Sequence, residues 1–233
     1  MNLDHVRTGV NARLAEARLM LGLLKIDGGP QSEVPKNDPT SATIRGMVYV
    51  SLYGALEYCV EQGVQGLLNF ISASQVQNAH LEYSVNVVAL DPFLTSVRDA
   101  GEKKKWPSRR ALFEKMADSS VCTISNTAFG TFLHNVHPST IEEVFHCFGI
   151  DLPPTPEPRQ IGYLQEIVDK RNAVAHGRDT ATEVGEGRTL ADLVLRMDAV
   201  YAECIYFLSA LEEHASDLSF VQPRYRGVYR SAA

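Results

Sequence analysis

Four long runs of apolar residues recurring every three or four positions constrain this chain more than any other feature, because only a helix gathers such residues on one buried face. Residues 3 to about 26 carry Leu3, Val6, Val10, Leu14, Ala17, Leu21 and Leu24 in that spacing, with Arg7, Arg13, Glu16 and Arg18 off the stripe. Gly28-Gly29-Pro30 stops the run, and Gln31 to Ser41 reads as a loop. Thr40 or Ser41 opens a second run through Ile44, Met47, Val48, Val50, Leu52, Leu56 and Val60. Gly63 and Gly66 are expected to end or bend it before Val64 to Ile71 resume the pattern. A third run extends from about Gln160 to His176 on Ile161, Leu164, Ile167, Val168, Val174 and Ala175. The fourth follows Thr189, with Asp192 three residues on as a start signal, and passes through Leu193, Leu195, Met197, Val200, Tyr201, Ile205, Leu208 and Leu211. Two pairs of such helices predict an all-α four-helix bundle.

The stretch between the pairs is less regular. Tyr83 to Val88 is β-branched and alternates in part, so 76–97 is open between helix and short strand, with 74–92 expected to be the least regular part. Beyond Asp91-Pro92 the chain reads as short helical pieces. Ser108 is placed as the cap of a helix carrying basic residues, Ser139-Thr140-Ile141-Glu142 as a capping box after Pro138, and Gly149 as the stop of the helix that follows. Leu152 to Pro158 holds too many prolines for a helix or a central strand and reads as a stiff connector. The expected organisation is a bundle built from 1–72 and 159–215, an irregular, mainly helical insertion over 73–158, and a C-terminal tail over 216–233. Arg178 to Arg188, with two glycines and no periodicity, reads as a loop, and the arginine–tyrosine alternation of the tail as disorder or an RNA contact.

The 233-residue chain is long enough to bury a full core without staples. Its cysteines, Cys59, Cys122, Cys147 and Cys204, lie far apart with no CxxC, and read as reduced, buried thiols of a cytoplasmic protein. Met1 to Arg7 lacks the pattern of a secretory leader, and no uncharged apolar run reaches about 18 residues, so a soluble protein with no membrane partner is expected. A formal net charge of -6 argues against nonspecific coating of nucleic acid, which needs excess cations. It does not exclude a local basic groove. From Arg98 to Lys115 seven cations face three anions, with Lys103, Lys104, Lys105, Arg109 and Arg110 grouped around Trp106. Such a cluster serves as a solvated face or, where RNA is handled, as backbone contacts with an aromatic to stack on a base.

Lys170-Arg171-Asn172-Ala173-Val174-Ala175-His176-Gly177 closes the third run and sets a cation, a carboxamide and an imidazole just before a helix-ending glycine. At helical pitch Asn172 and His176 stack one above the other, whereas Arg171 and His176 point about 140° apart. A single copy therefore converges poorly, and a two-fold pair of such helices would bring the groups together. Two readings are open. Cations near a helix C-terminus and a glycine after it are ordinary structural punctuation. The same residues suit metal-free RNA cleavage, which needs a base for the ribose 2′-hydroxyl, an acid for the leaving 5′-oxygen and a cation on the phosphorane. Histidine does the first two and arginine's planar fork the third.

Arg171 to His176 also resembles the R-x4-6-H motif of the HEPN superfamily, including the polar residue that follows the arginine in many of its ribonucleases. The second run, Val48 to Glu57, is similar to a helix of the MAE and RiboL-PSP type, in which an aromatic precedes a glutamate. The resemblance covers about 1–72 and 159–215. It implies a bundle that pairs as a homodimer, with arginines and histidines of both copies lining one cleft of a metal- and cofactor-independent endoribonuclease. Toxins, phage-defence effectors and RNA-processing enzymes occur in the superfamily, some with an antitoxin partner. On that reading His176 is base or acid, Arg171 the phosphate and transition-state ligand and Asn172 an orienting or substrate-contacting group; Glu57 reads as a structural glutamate or as a partner to the site. The alternative is a catalytically silent helical module that binds a protein or nucleotide. A metal reading of His134, His137, Glu142 and His146 fits no known ligand spacing.

Overall fold

The structure, a computed structural model, describes residues 1–28 and 38–230. Most of the loop expected at Gln31 to Ser41 lies outside the described residues. Among those described, the elements are α1 (Asp4–Gly28), α2 (Pro39–Ala73), α3 (Asn86–Ala89), α4 (Asp91–Arg98), α5 (Lys105–Met116), α6 (Pro138–Phe148), α7 (Pro158–Ala175), α8 (Ala181–Gly185), α9 (Leu190–Ser216) and α10 (Arg226–Arg230), with three short 3₁₀ turns. The fold is all-α, and the only β pairing among the described residues is two isolated bridges, Gln77 with Val121 and Leu81 with Val221.

The four long helices, α1, α2, α7 and α9, are those that the periodicity predicts. α2 is the central one, packed against α1, α7, α8 and α9. It starts earlier than expected: Pro39 takes the first position, where its missing N–H costs nothing, and Asp38 Oδ1 accepts from Ser41 N at 2.9 Å. It also runs unbroken through Gly63 and Gly66, where a bend was expected. These glycines make room rather than end the helix. A Cβ at Gly63 would lie 3.0 Å from Leu208 and Phe207 of α9, and one at Gly66 would lie 2.7 Å from Leu3.

The stretch between α2 and α7 shares the bundle's core. Val76, Leu81, Val85, Phe145 and Phe148 are fully buried with the α2 and α9 residues, and Phe145 stacks on Phe207 at 5.6 Å. Two starts there differ from the sequence reading. α5 begins at Lys105, so Ser108 sits inside the helix and donates its N–H to Lys104 O. α6 begins at Pro138, and the capping pair is His137 and Thr140: His137 N donates to Thr140 Oγ1 at 3.1 Å and Thr140 N to His137 O at 2.9 Å. α4 and α5 form a hairpin with no buried residue in either helix.

Two segments expected to be irregular are built in. Within 178–188, α8 presses its backbone onto α2: a Cβ on Gly46 would lie 1.8 Å from Ala181 O, and one on Gly185 1.9 Å from Ala42 O. Five residues are too few to show a period, which is why the sequence reads as a loop. The segment after α9 packs back onto the rest of the protein. Phe220 and Val221 are fully buried, Tyr225 stacks on His80 at 3.7 Å, and Tyr229 Oη lies 2.8 Å from His80 Nδ1. Its tyrosines pack on the 78–80 turn, so the alternation that reads as disorder is an anchor.

Candidate active site at the end of α7

α7 ends as the sequence indicates. Gly177 takes φ +65°, its N–H bonds Val174 O at 3.1 Å, and Arg178 N bonds Ala173 O at 2.9 Å. This double closure needs a left-handed residue after the helix and so favours glycine. It leaves His176 exposed at the helix end, and its imidazole has no partner among the described residues.

One turn earlier, Arg171 is held by residues of α2. Its guanidinium lies 4.2 Å from the centroid of the Tyr53 ring and its Nη2 is 3.9 Å from Glu57 Oε2. Tyr53 and Glu57 are four residues apart on one helical face, and Tyr53 Oη donates to Glu57 Oε1 at 2.8 Å. Burial pushes the Tyr53 hydroxyl up to about 12, so near neutral pH it remains a neutral donor rather than a base. The same oxygen accepts from Val136 N at 3.1 Å, tying the turn before α6 to the site. Asn172 does not stack on His176 as helical spacing suggests. Its Oδ1 accepts from Arg171 Nη1 at 2.9 Å and its Nδ2 donates to Asn135 Oδ1 at 3.1 Å.

A second polar cluster lies on the same helices. Glu166 of α7 takes Arg196 of α9 through both Nε (3.0 Å) and Nη2 (2.6 Å), Arg188 Nη1 at 3.0 Å, and the Tyr49 hydroxyl at 3.2 Å. Arg196 also lies 4.7 Å from the Tyr163 ring centroid and retains 11% side-chain exposure. Elsewhere α9 buries Glu203 completely, with no hydrogen-bond partner for either carboxylate oxygen among the described residues, and burial pushes its carboxyl up to about 8.

The basic residues form a separate surface. Lys103, Lys104, Lys105, Arg109 and Arg110 gather around Trp106, which is 70% exposed, and Arg109 lies 5.2 Å from the Trp106 ring. α5 packs on α4 and on the 78–80 turn, so the cluster is not assembled with Arg171 and His176. Lys105 and Arg110 make surface ion pairs with Glu102 and Glu114, which contribute little. His134, His137 and His146 gather no metal site, since no group of three or more His, Cys, Asp or Glu among the described residues is arranged to hold an ion. His137 is instead hydrogen-bonded to Asn135 and Gln165.

The sequence reading names the candidates on α7; it does not name Tyr53 or Asn135, which the structure sets beside them, or the structural part played by His137. Tyr53 was legible as the aromatic one turn before Glu57. Asn135 and His137 sit in a turn with no period to mark them.

The chain is thus an all-helical bundle whose third long helix ends in Arg-Asn-x-x-x-His-Gly, with a tyrosine–glutamate pair of the second helix against the arginine. The chain belongs to the RiboL-PSP-HEPN family, which residues 23–206 match. No curated protein and no solved structure matches the chain. Among the described residues no helix is long and apolar enough to cross a membrane.

Proposed function

We propose that this protein is a metal-independent endoribonuclease acting as a homodimer, with the family's RNA chemistry carried by Arg171, Asn172 and His176. The observation that carries the reading is the contrast within the motif: Arg171 is aimed by Tyr53, Glu57 and Asn172, while His176 stands exposed with its imidazole unengaged among the described residues. In a two-fold pair, His176 of one copy takes the proton of the ribose 2′-hydroxyl as that oxygen attacks the adjacent phosphorus. The partner's His176 protonates the departing 5′-oxygen, and Arg171 donates to the phosphorane oxygens. The products are a 2′,3′-cyclic phosphate and a 5′-hydroxyl end. The α5 face, Lys103 to Lys105 with Arg109 and Arg110, tracks the phosphates and Trp106 stacks a base. A toxin or phage-defence effector, held in check by an antitoxin or a sensor partner, is the cellular role that fits such an enzyme.

The test is RNA cleavage in EDTA by wild type, Arg171→Ala and His176→Ala, each checked for folding. Wild type cuts and both variants lose at least about a hundredfold, the scale of removing a group that meets transition-state charge. If both variants cut as well as wild type, the site lies elsewhere. A folded monomeric variant that keeps full activity removes the composite site.

A further inference from the structure

We propose that Asn135 and His137, both from the turn that leads into α6, are positioning residues for Arg171; the proposal rests on the ribonuclease reading of that site. Six side chains bond in one direction. Arg171 Nη1 donates to Asn172 Oδ1 at 2.9 Å, Asn172 Nδ2 donates to Asn135 Oδ1 at 3.1 Å, and Asn135 Nδ2 lies 2.9 Å from His137 Nε2. An amide nitrogen only donates, so His137 Nε2 accepts there and the ring proton sits on Nδ1. That nitrogen is 3.2 Å from Gln165 Oε1, and Gln165 Nε2 donates to Asp169 Oδ1 at 3.0 Å.

The two ends set the polarity. A guanidinium only donates and an ionised carboxylate only accepts, so with Arg171 at one end and Asp169 at the other, every amide between has one satisfactory orientation. The consequence falls on Asn172. With Oδ1 toward Arg171 it holds the guanidinium; turned over, its Nδ2 would face another donor and the contact would be lost. Asn135, not a residue of α7, fixes that choice, and His137 in turn fixes Asn135. Gln165, Asp169, Asn172 and His176 follow one another at spacings of four, three and four along α7, so the turn lies along the stripe that ends in the exposed histidine. A capping role for His137 at the start of α6 runs through its backbone and does not need this polarity.

The experiment compares Asn135→Ala, His137→Asn and His137→Gln in the full-length protein. Asparagine places its amide near the former Nδ1 and offers nothing at Nε2, and it is well tolerated ahead of a helix. Glutamine reaches the Nε2 position with an oxygen that accepts. Asn135→Ala and His137→Asn are expected to lower kcat for RNA cleavage in EDTA about three- to tenfold with KM unchanged, the worth of one hydrogen bond expressed as a rate. His137→Gln recovers most of the loss seen in His137→Asn. Equal activity in all three and wild type overturns the proposal, as does a His137→Gln loss equal to that of His137→Asn. If wild type itself cuts no RNA, the ribonuclease reading fails and the NMR signals of the Arg171 Nε–H and the Asn172 side-chain amide decide the positioning chain. They shift in Asn135→Ala and His137→Asn and return toward wild type in His137→Gln; signals that stay put in all three overturn it.

Discussion

Arg196 and Arg171 are built into clusters of the same parts but engaged to different degrees. Each meets a glutamate and an aromatic ring across the interface of α7 with a neighbouring helix. Arg196 grips Glu166 with two nitrogens at 2.6 and 3.0 Å, and Glu166 receives Arg188 and Tyr49 as well, so the group is closed on itself. Arg171 stands 3.9 Å from Glu57, and that glutamate is already bonded to Tyr53. Its side chain keeps 25% exposure against 11% for Arg196. An arginine whose fork is filled by a carboxylate holds helices together; one steered by a ring and an amide leaves N–H groups unfilled, which is what the proposed phosphate contact requires.

The sharpest way to break the contrast is to truncate each arginine. Arg171→Ala is expected to abolish RNA cleavage, at least about a hundredfold, while costing under about 1 kcal/mol of stability, mostly the cation–π contact. A urea melt alongside the cleavage assay checks both. Arg196→Ala reverses the pattern. It leaves Glu166 half-compensated in a nearly buried setting and costs about 2–3 kcal/mol in the same melt, below the full penalty for a buried pair because the cluster retains some solvent.

Glu203 sharpens the carboxylate side of the comparison, because it is fully buried where Glu166 keeps 20% side-chain exposure, and among the described residues no cation is paired with it. Its folded carboxyl is raised from the usual range to about 8, so the native state binds more protons than the unfolded state between those limits. Its contribution is therefore fully present below about pH 4.5 and is lost as pH rises toward 8. Glu203→Gln should raise the melting temperature by several degrees at pH 8 and little at pH 5, measured by thermal melts across that range. The smallest effect is expected at another arginine–aromatic pair, the exposed Arg109 and Trp106. Trp106→Ala should leave the melt unchanged and raise KM for single-stranded RNA about fivefold, the low end for one stacked base.

Only one of the two arginine clusters is visible in the sequence. Arg171, Asn172, His176 and Gly177 stand together in the chain, so their proximity follows from helical geometry and their placement at a helix end from the glycine. Thr189 and Gly149 were legible for the same reason, since caps are written within three or four residues. Arg196, Arg188 and Glu166 were not legible as a group, because each occupies an ordinary position on its own helix. The glycines of α2 misled for a related reason. Gly63 and Gly66 look like punctuation until α1 and α9 are seen pressing on them, and Gly46 gains its meaning only when α8 lies on it.

The sequence by itself determined four amphipathic helices, their pairing into a bundle and the polar set at the end of the third, because a period of three to four and a cap are local properties of the chain. Only the tertiary structure decided which way Arg171 points. Around it stand Tyr53 and Glu57 from α2 and, through the Asn172 amide that it bonds thirty-seven residues away, Asn135. Groups so far apart in the chain meet through packing alone, and packing leaves no periodic trace in the residues it brings together.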